Sequence, residues 1–188
     1  MSRIIKLVLL IVWTVFALGC QTPQALSPQP AWPSPASYGN KVQAQQVLQV
    51  TYQQQTQQIL VAVDISSDSV ELVALSGMGI PLFTLNWDGS RLTQTNHLST
   101  EEFDNQQSVL DAFFLAIWPQ AALSEYLSQQ GLLLQQSNSQ REVLSVSGEA
   151  KLSVRWNDYQ APQGYIEIDD HANQNRLKLT TIYWDESQ

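Results

Sequence analysis

The sequence predicts a mainly β domain with a helical insert, built as one strongly curved antiparallel sheet. Three observations lead there. Apolar and polar residues alternate at period two over residues 48–87 and again from Leu132 onward, the period becomes helical between about Asp104 and Gly131, and the connections are short and polar. Short connections join antiparallel neighbours, because a parallel crossover needs a dozen or more residues.

A different pattern precedes that domain. Arg3 and Lys6 stand before Leu7–Leu18, a run of twelve residues that is apolar except for Thr14. A membrane-crossing helix needs roughly 20 apolar residues, so the run reads as the core of an export signal over residues 1–19. It ends in Ala17-Leu18-Gly19-Cys20, which resembles the lipobox of bacterial lipoproteins, where small residues precede a cysteine that is acylated, by palmitate for example, through its thiol. The match departs at Ala17, where leucine is commoner, and at Leu18, where a small residue is commoner; a plain secretory signal cut after Gly19 is the alternative. Cys20 is the only cysteine, so no disulfide forms within the chain, and acylation gives an exported thiol its purpose. Gln21 follows it where Asp would be the usual inner-membrane retention signal in Gram-negative lipoproteins. This implies the periplasmic face of the outer membrane.

Residues 20–40 read as a lipidated, flexible tether, since five of the eight prolines lie there among Ser, Ala and Gln, with little to bury beyond Leu26 and Trp32. Residues 41–188 are long enough for one domain and show no internal repeat. Its first strands are marked by Leu48, Val50 and Tyr52; by Ile59, Val61, Val63 and Ile65; by Val70, Leu72 and Ala74; and by Phe83, Leu85 and Trp87. Gln-rich, Ser-Ser-Asp-Ser, Ser-Gly-Met-Gly and Asp-Gly stretches separate them, as in a meander. Val109, Leu110, Phe113, Phe114 and Ile117 then recur at helical spacing, with Asp104 available as N-cap. Pro119 breaks that helix, and a second carries Leu123, Tyr126 and Leu127 to a stop at Gly131. Strands resume at 132–136, 142–147, 151–157, 165–169 and 176–184.

This order of parts, with the loop Ser76-Gly77-Met78-Gly79, a helix pair broken at Trp118-Pro119 and a closing Arg176-Leu177-Lys178-Leu179, resembles the LolA/LolB-like carriers of lipoprotein sorting. Within them it is most similar to an uncharacterised group of LolB-like outer-membrane lipoproteins sometimes encoded near aryl polyene biosynthesis genes. The resemblance spans nearly all of 41–188 and rests on linear order rather than on one motif. It implies an open half-barrel whose concave apolar face, covered by the helices, holds acyl chains of a lipid or lipoprotein cargo and aids their transfer. The cavity would be lined by Val61, Val63, Leu72, Phe83, Leu85, Leu110, Phe113, Phe114 and Ile117, a periplasmic carrier protein would be a possible donor, and Met78 would occupy the place of a membrane- or cargo-inserting loop residue. The same apolar stripe would also pack as an ordinary core, and Met78 could fold back over the sheet edge.

Charge and chemistry narrow the function classes. Residues 1–19 hold two of the nine basic residues and none of the seventeen acidic ones, so the mature chain has seven against seventeen, a net −10. Such a surface repels phosphate backbones and anionic headgroups, which argues against nucleic-acid partners and leaves membrane attachment to Cys20. The two histidines, His97 and His171, stand without a thiol nucleophile in the domain, a Gly-x-Ser-x-Gly elbow, a phosphate loop or metal-ligand spacing; no enzyme activity, metal or cofactor is expected. Asp169-Asp170-His171 reads as a solvated turn. A non-catalytic structural or interaction lipoprotein with a filled interior is the alternative to the carrier, and a periplasmic hydrolase is the third class. Replacing Cys20 by Ser should leave the precursor unprocessed or move the protein to a soluble pool, read by membrane fractionation; an unchanged membrane fraction would refute the anchor.

Overall fold

The computed structural model describes residues 32–52, 55–97, 106–157, 164–171 and 174–188. The expected signal and Cys20 anchor, and the proposed N-cap Asp104, lie outside the described residues. A short 3-10 turn, Pro35–Tyr38, leads into β1 (Lys41–Tyr52), β2 (Gln55–Ile65), β3 (Val70–Leu75), β4 (Pro81–Trp87) and β5 (Leu92–Asn96). Two helices follow, α1 (Gln106–Ile117) and α2 (Gln120–Gln129), and then β6 (Leu132–Gln136), β7 (Gln140–Ser145), β8 (Ala150–Trp156), β9 (Tyr165–Asp170) and β10 (Asn175–Ser187).

All ten strands form one antiparallel sheet in the order β5-β4-β3-β2-β1-β10-β9-β8-β7-β6. Each half is a meander of hairpins, and the last strand returns to pair with the first, Leu48 opposite Leu179 and Val50 opposite Leu177. The sheet stays open, with β5 and β6 as edges. Strand β5 is only five residues long, and a short edge offers little length for pairing with other chains.

Period two sets the inner face. Val42, Ala44 and Leu48 on β1 continue into Ile59, Val61, Val63 and Ile65 on β2, Val70, Leu72 and Ala74 on β3, and Phe83, Leu85 and Trp87 on β4. From the other half come Val143, Val154, Ile166, Ile168 and Leu179, and all of these side chains join one buried cluster with those of α1. In a flat sheet β4 and β7 would lie seven strand spacings apart, roughly 34 Å, whereas a helix with its side chains is about 10–12 Å across. Both strands nevertheless meet partners on or beside α1, so the sheet is curved around that helix. This is the mainly β, half-open architecture with a helical insert that the sequence predicts.

The structure corrects two details. Strand β5 was not among the expected segments, and its single inward apolar residue, Leu92, explains why alternation did not reveal it. Residues 32–40, expected to belong to the tether, pack instead: Trp32, Pro33 and Pro35 are buried, Trp32 to 3% exposure. A proline at the start of the 3-10 turn and Gly39 at its end give this strap its shape. Because Trp32 fills a closed site, Trp32→Ala should cost about 3–5 kcal/mol, measured by chemical denaturation. A chain begun at Lys41 should lose at least as much, and unchanged midpoints for both would place the strap outside the core.

Candidate functional site

The concave face and the helix that closes it form the candidate site. Helix α1 presents Leu110, Phe113, Phe114 and Ala116 to the sheet, and Trp118 follows in the turn before Pro119. An aromatic chain runs across the interior. Trp87 of β4 meets Trp32 edge-on at 5.3 Å, Trp32 lies nearly parallel to Phe114 at 6.5 Å, and Phe114 meets Trp118 edge-on at 4.5 Å. Tyr38 of the strap covers Trp118 at 5.1 Å.

Each indole N–H along this face has an acceptor, as burial demands. Trp32 donates to Asp111 Oδ1 at 2.6 Å, Trp87 to the Pro33 carbonyl at 3.0 Å, Trp118 to Ser37 Oγ at 2.9 Å, and Trp156 of β8 to the Ala116 carbonyl at 3.3 Å. Arg141 of β7, 6% exposed, completes the closure: Nη1 donates to the Leu115 carbonyl at 2.9 Å, Nε donates to Gln136 Oε1 at 2.7 Å, and the guanidinium lies 5.2 Å from the Trp156 ring centre. Burial pushes its pKa down to about 10, so it stays charged at neutral pH. A cation at the C-terminal end of α1 also complements the helix dipole. The helix is thus pinned at its last turn by the β7 and β8 wing and braced on its other side through the strap.

The structure brings together eight of the nine residues expected to line a cavity, Val61, Val63, Leu72, Phe83, Leu85, Leu110, Phe113 and Phe114, in one buried cluster, and Ile117 packs half-buried against it. All eight of those buried side chains are closed off from solvent. Met78 stands 84% exposed at the tip of the β3–β4 turn, away from the sheet edge. Ser76 organises that turn: its hydroxyl accepts from the backbone N–H of Met78 and Ile80, and its carbonyl accepts from Gly79, whose φ of 77° suits glycine. Ile80 is exposed beside it.

The polar cluster of β9 is dispersed. Asp169 pairs with Arg155 at 2.5 Å and Arg176 at 2.7 Å; burial acts to raise its pKa, but the two cations outweigh this and hold it below the usual carboxylate range. His171 Nε2 lies 2.8 Å from Ser153 Oγ, and His97 Nε2 lies 2.9 Å from Thr84 Oγ1. Among the described residues no group of three or more His, Cys, Asp or Glu is arranged to hold a metal ion. Sequence reasoning missed Arg141, Gln46 and the strap. The first two were discoverable from parity, since Arg141 shares the inward phase of Val143, and Gln46 that of Ala44 and Leu48.

A family model described as "Protein of unknown function (DUF3261)" matches residues 43–183. No curated protein matches the sequence. Among solved structures the chain is similar to a LolA superfamily protein from Nitrosomonas europaea, at 10% identity and a TM-score of 0.49, over 86% of this chain and 94% of that one. It is also similar to a domain described as an outer membrane lipoprotein-sorting protein from Vibrio parahaemolyticus, at 9% identity and a TM-score of 0.40, over 78% and 85%. A DUF1329 family protein from Desulfovibrio piger follows at 7% identity and a TM-score of 0.31, over 82% and 92%. Likeness at this level concerns outline and carries no functional argument.

One consequence of the strap and helix geometry is testable by pH. Burial raises the Asp111 pKa, outweighing the lowering effect of the Trp32 hydrogen bond. A carboxyl raised above its unfolded value binds its proton more tightly when folded, so this penalty is absent below the unfolded value, grows as pH rises from the unfolded to the folded value, and is complete above it. Asp111→Asn keeps an oxygen for Trp32 and should therefore stabilise the protein at pH 8 but not at pH 4, by urea denaturation; an equal effect at both would show the charge to be irrelevant.

Proposed function

The chain belongs to the DUF3261 family, and from that premise we propose that it is a non-catalytic, lipid-anchored protein of the periplasmic face of the outer membrane that takes up acyl chains between α1 and the concave sheet face. The observation that carries this reading is how α1 is held. It closes an almost wholly apolar sheet face with side chains and a few hydrogen bonds concentrated at its last turn, and it contributes no strand pairing. Swinging α1 outward would break few polar contacts and expose a continuous trough from Phe83 and Leu85 through Val61 and Val63 to Leu179. An acyl chain would then stand in for Phe113 and Phe114. Burying a methylene gains roughly 0.8 kcal/mol, and a bilayer offers the same, so such a carrier needs a near-balanced exchange rather than a tight grip. The closed interior lowers apparent affinity by the fraction of molecules that are open.

The full burial of Trp118, Phe113 and Phe114 favours a second reading, an interaction lipoprotein whose core never opens and which works through its surface. Native mass spectrometry of the protein purified from its host separates the two: co-purified lipid supports the carrier, and a lipid-free chain supports the second. Phe114→Asp would set an unpaired charge in the trough and should abolish bound lipid, provided the variant remains folded; a folded variant with undiminished lipid would refute the site.

The Met78 and Ile80 tip is the element proposed to enter a membrane or an apolar cargo surface. Met78→Glu should change stability by less than about 0.5 kcal/mol and leave bound lipid intact. Delivery should fail, because a carboxylate resists entry into hydrocarbon. Movement of labelled lipid from the protein to liposomes measures this; unchanged transfer would free the loop of any such role.

A further inference from the structure

Among the described residues two buried side-chain oxygens have no hydrogen-bond partner, Gln46 Oε1 and Asn175 Oδ1, and of the two only Gln46 is itself a fully buried residue. Gln46 lies near the middle of β1, is 0% exposed, and points inward between Ala44 and Leu48, opposite Val61 of β2. Its Nε2 donates to Thr181 Oγ1 at 3.2 Å, but its Oε1 has no hydrogen-bond partner. A buried amide oxygen without a partner is costly, and an apolar residue of the same size would avoid that cost.

The backbone beside it departs from regularity at the same place. The β1–β10 register shifts between Gln45 and Gln46, with Gln45 opposite Tyr183 and Gln46 opposite Thr181, so that Ile182 is the extra residue of a bulge. Ile182 is turned out to solvent, and the inward phase of β10 passes from Leu179 to Trp184 across it. Bulges re-aim side chains and cluster near sites. Here the bulge puts a threonine hydroxyl against the glutamine and orients its amide.

We propose that Gln46 is the polar recognition point of the lipid-binding interior, its Oε1 accepting a hydrogen bond from a ligand that carries an O–H donor on a long alkyl or acyl chain. This rests on the acyl-binding reading above and narrows it to chains bearing a hydroxyl or protonated carboxyl, against chains whose polar group only accepts. A ligand hydroxyl would pair the unsatisfied oxygen, while an ester would set two acceptors against each other.

The test is a competition. The full chain, purified in detergent, is incubated with equal amounts of 1-hexadecanol and methyl palmitate, and both adducts are counted by native mass spectrometry for the wild type and for Gln46→Leu. Partition of the two lipids into micelles cancels when the alcohol-to-ester ratios of the two proteins are compared. One hydrogen bond predicts a ratio about tenfold higher in the wild type, together with a higher thermal midpoint for ligand-free Gln46→Leu. Gln46→Met serves as a second apolar variant and should behave in the same way. Equal ratios with both lipids bound would leave lipid binding standing, assign the amide oxygen to an internal water and overturn the proposal. Absence of both adducts from the wild type would overturn the acyl-binding reading and the proposal together, and absence of the alcohol adduct alone would overturn the proposal. Loss of folding in both variants would make Gln46 a structural residue and also overturn it.

Discussion

A ten-stranded sheet that curls without closing leaves two wings facing each other across a space that must be filled by something apolar. Here the filling is aromatic, running from Trp87 through Trp32 and Phe114 to Trp118. The chain supplies it from two directions, a strap ahead of β1 and a helix between β5 and β6. Without that stack the inner faces of β1–β4 and of β7–β10 would have no common partner, and the curvature would lose its cause. The β1–β10 pairing joins the two meanders, and α1 packs its buried side chains into the core that both halves share.

Polar groups within this core follow a consistent logic. The indoles cannot be buried dry, so Trp32, Trp87, Trp118 and Trp156 each find an oxygen, and those four oxygens belong to the strap or to α1 rather than to the sheet. Hydrogen bonds in a low-dielectric interior fix geometry more firmly than they would in water. Arg141 follows the same rule with a charge, spending its donors on a helix-end carbonyl and a glutamine and its face on an indole. The result is a helix whose position is specified by a small set of directional contacts laid over non-directional packing.

The outside obeys other constraints. The chain's net charge of −8 disfavours anionic surfaces, so the apolar Met78 and Ile80 tip stands out against an acidic body. The clustered cations Arg155 and Arg176 are neutralised by Asp169 and Glu167 on the outer face of β9, where exposed pairs contribute little to stability and mainly prevent like charges from meeting.

Much of this was legible in the sequence because it is periodic. Alternation at period two gave most of the strands and their inner faces, the change to helical spacing placed α1 and α2, and Pro119 and Gly131 bounded the second helix. Those signals are local, and local pattern suffices wherever one face of an element is buried. What the sequence could not decide is what lies opposite each face. Trp32 sits among prolines and reads as tether until a distant tryptophan and a helix aspartate come to meet it, 55 and 79 residues away. The inward glutamine at position 46 and the inward arginine at position 141 share the phase of their apolar neighbours, yet a polar residue breaks the pattern that would announce it. Whether Phe113 and Phe114 line a cavity or fill it is likewise a matter of the volume between two curved wings. That volume is set by the curl of the whole sheet, by the bulge that shifts β10 against β1, and by the strap folded across the end. No stretch of residues contains it, because only the assembled tertiary structure brings its walls together.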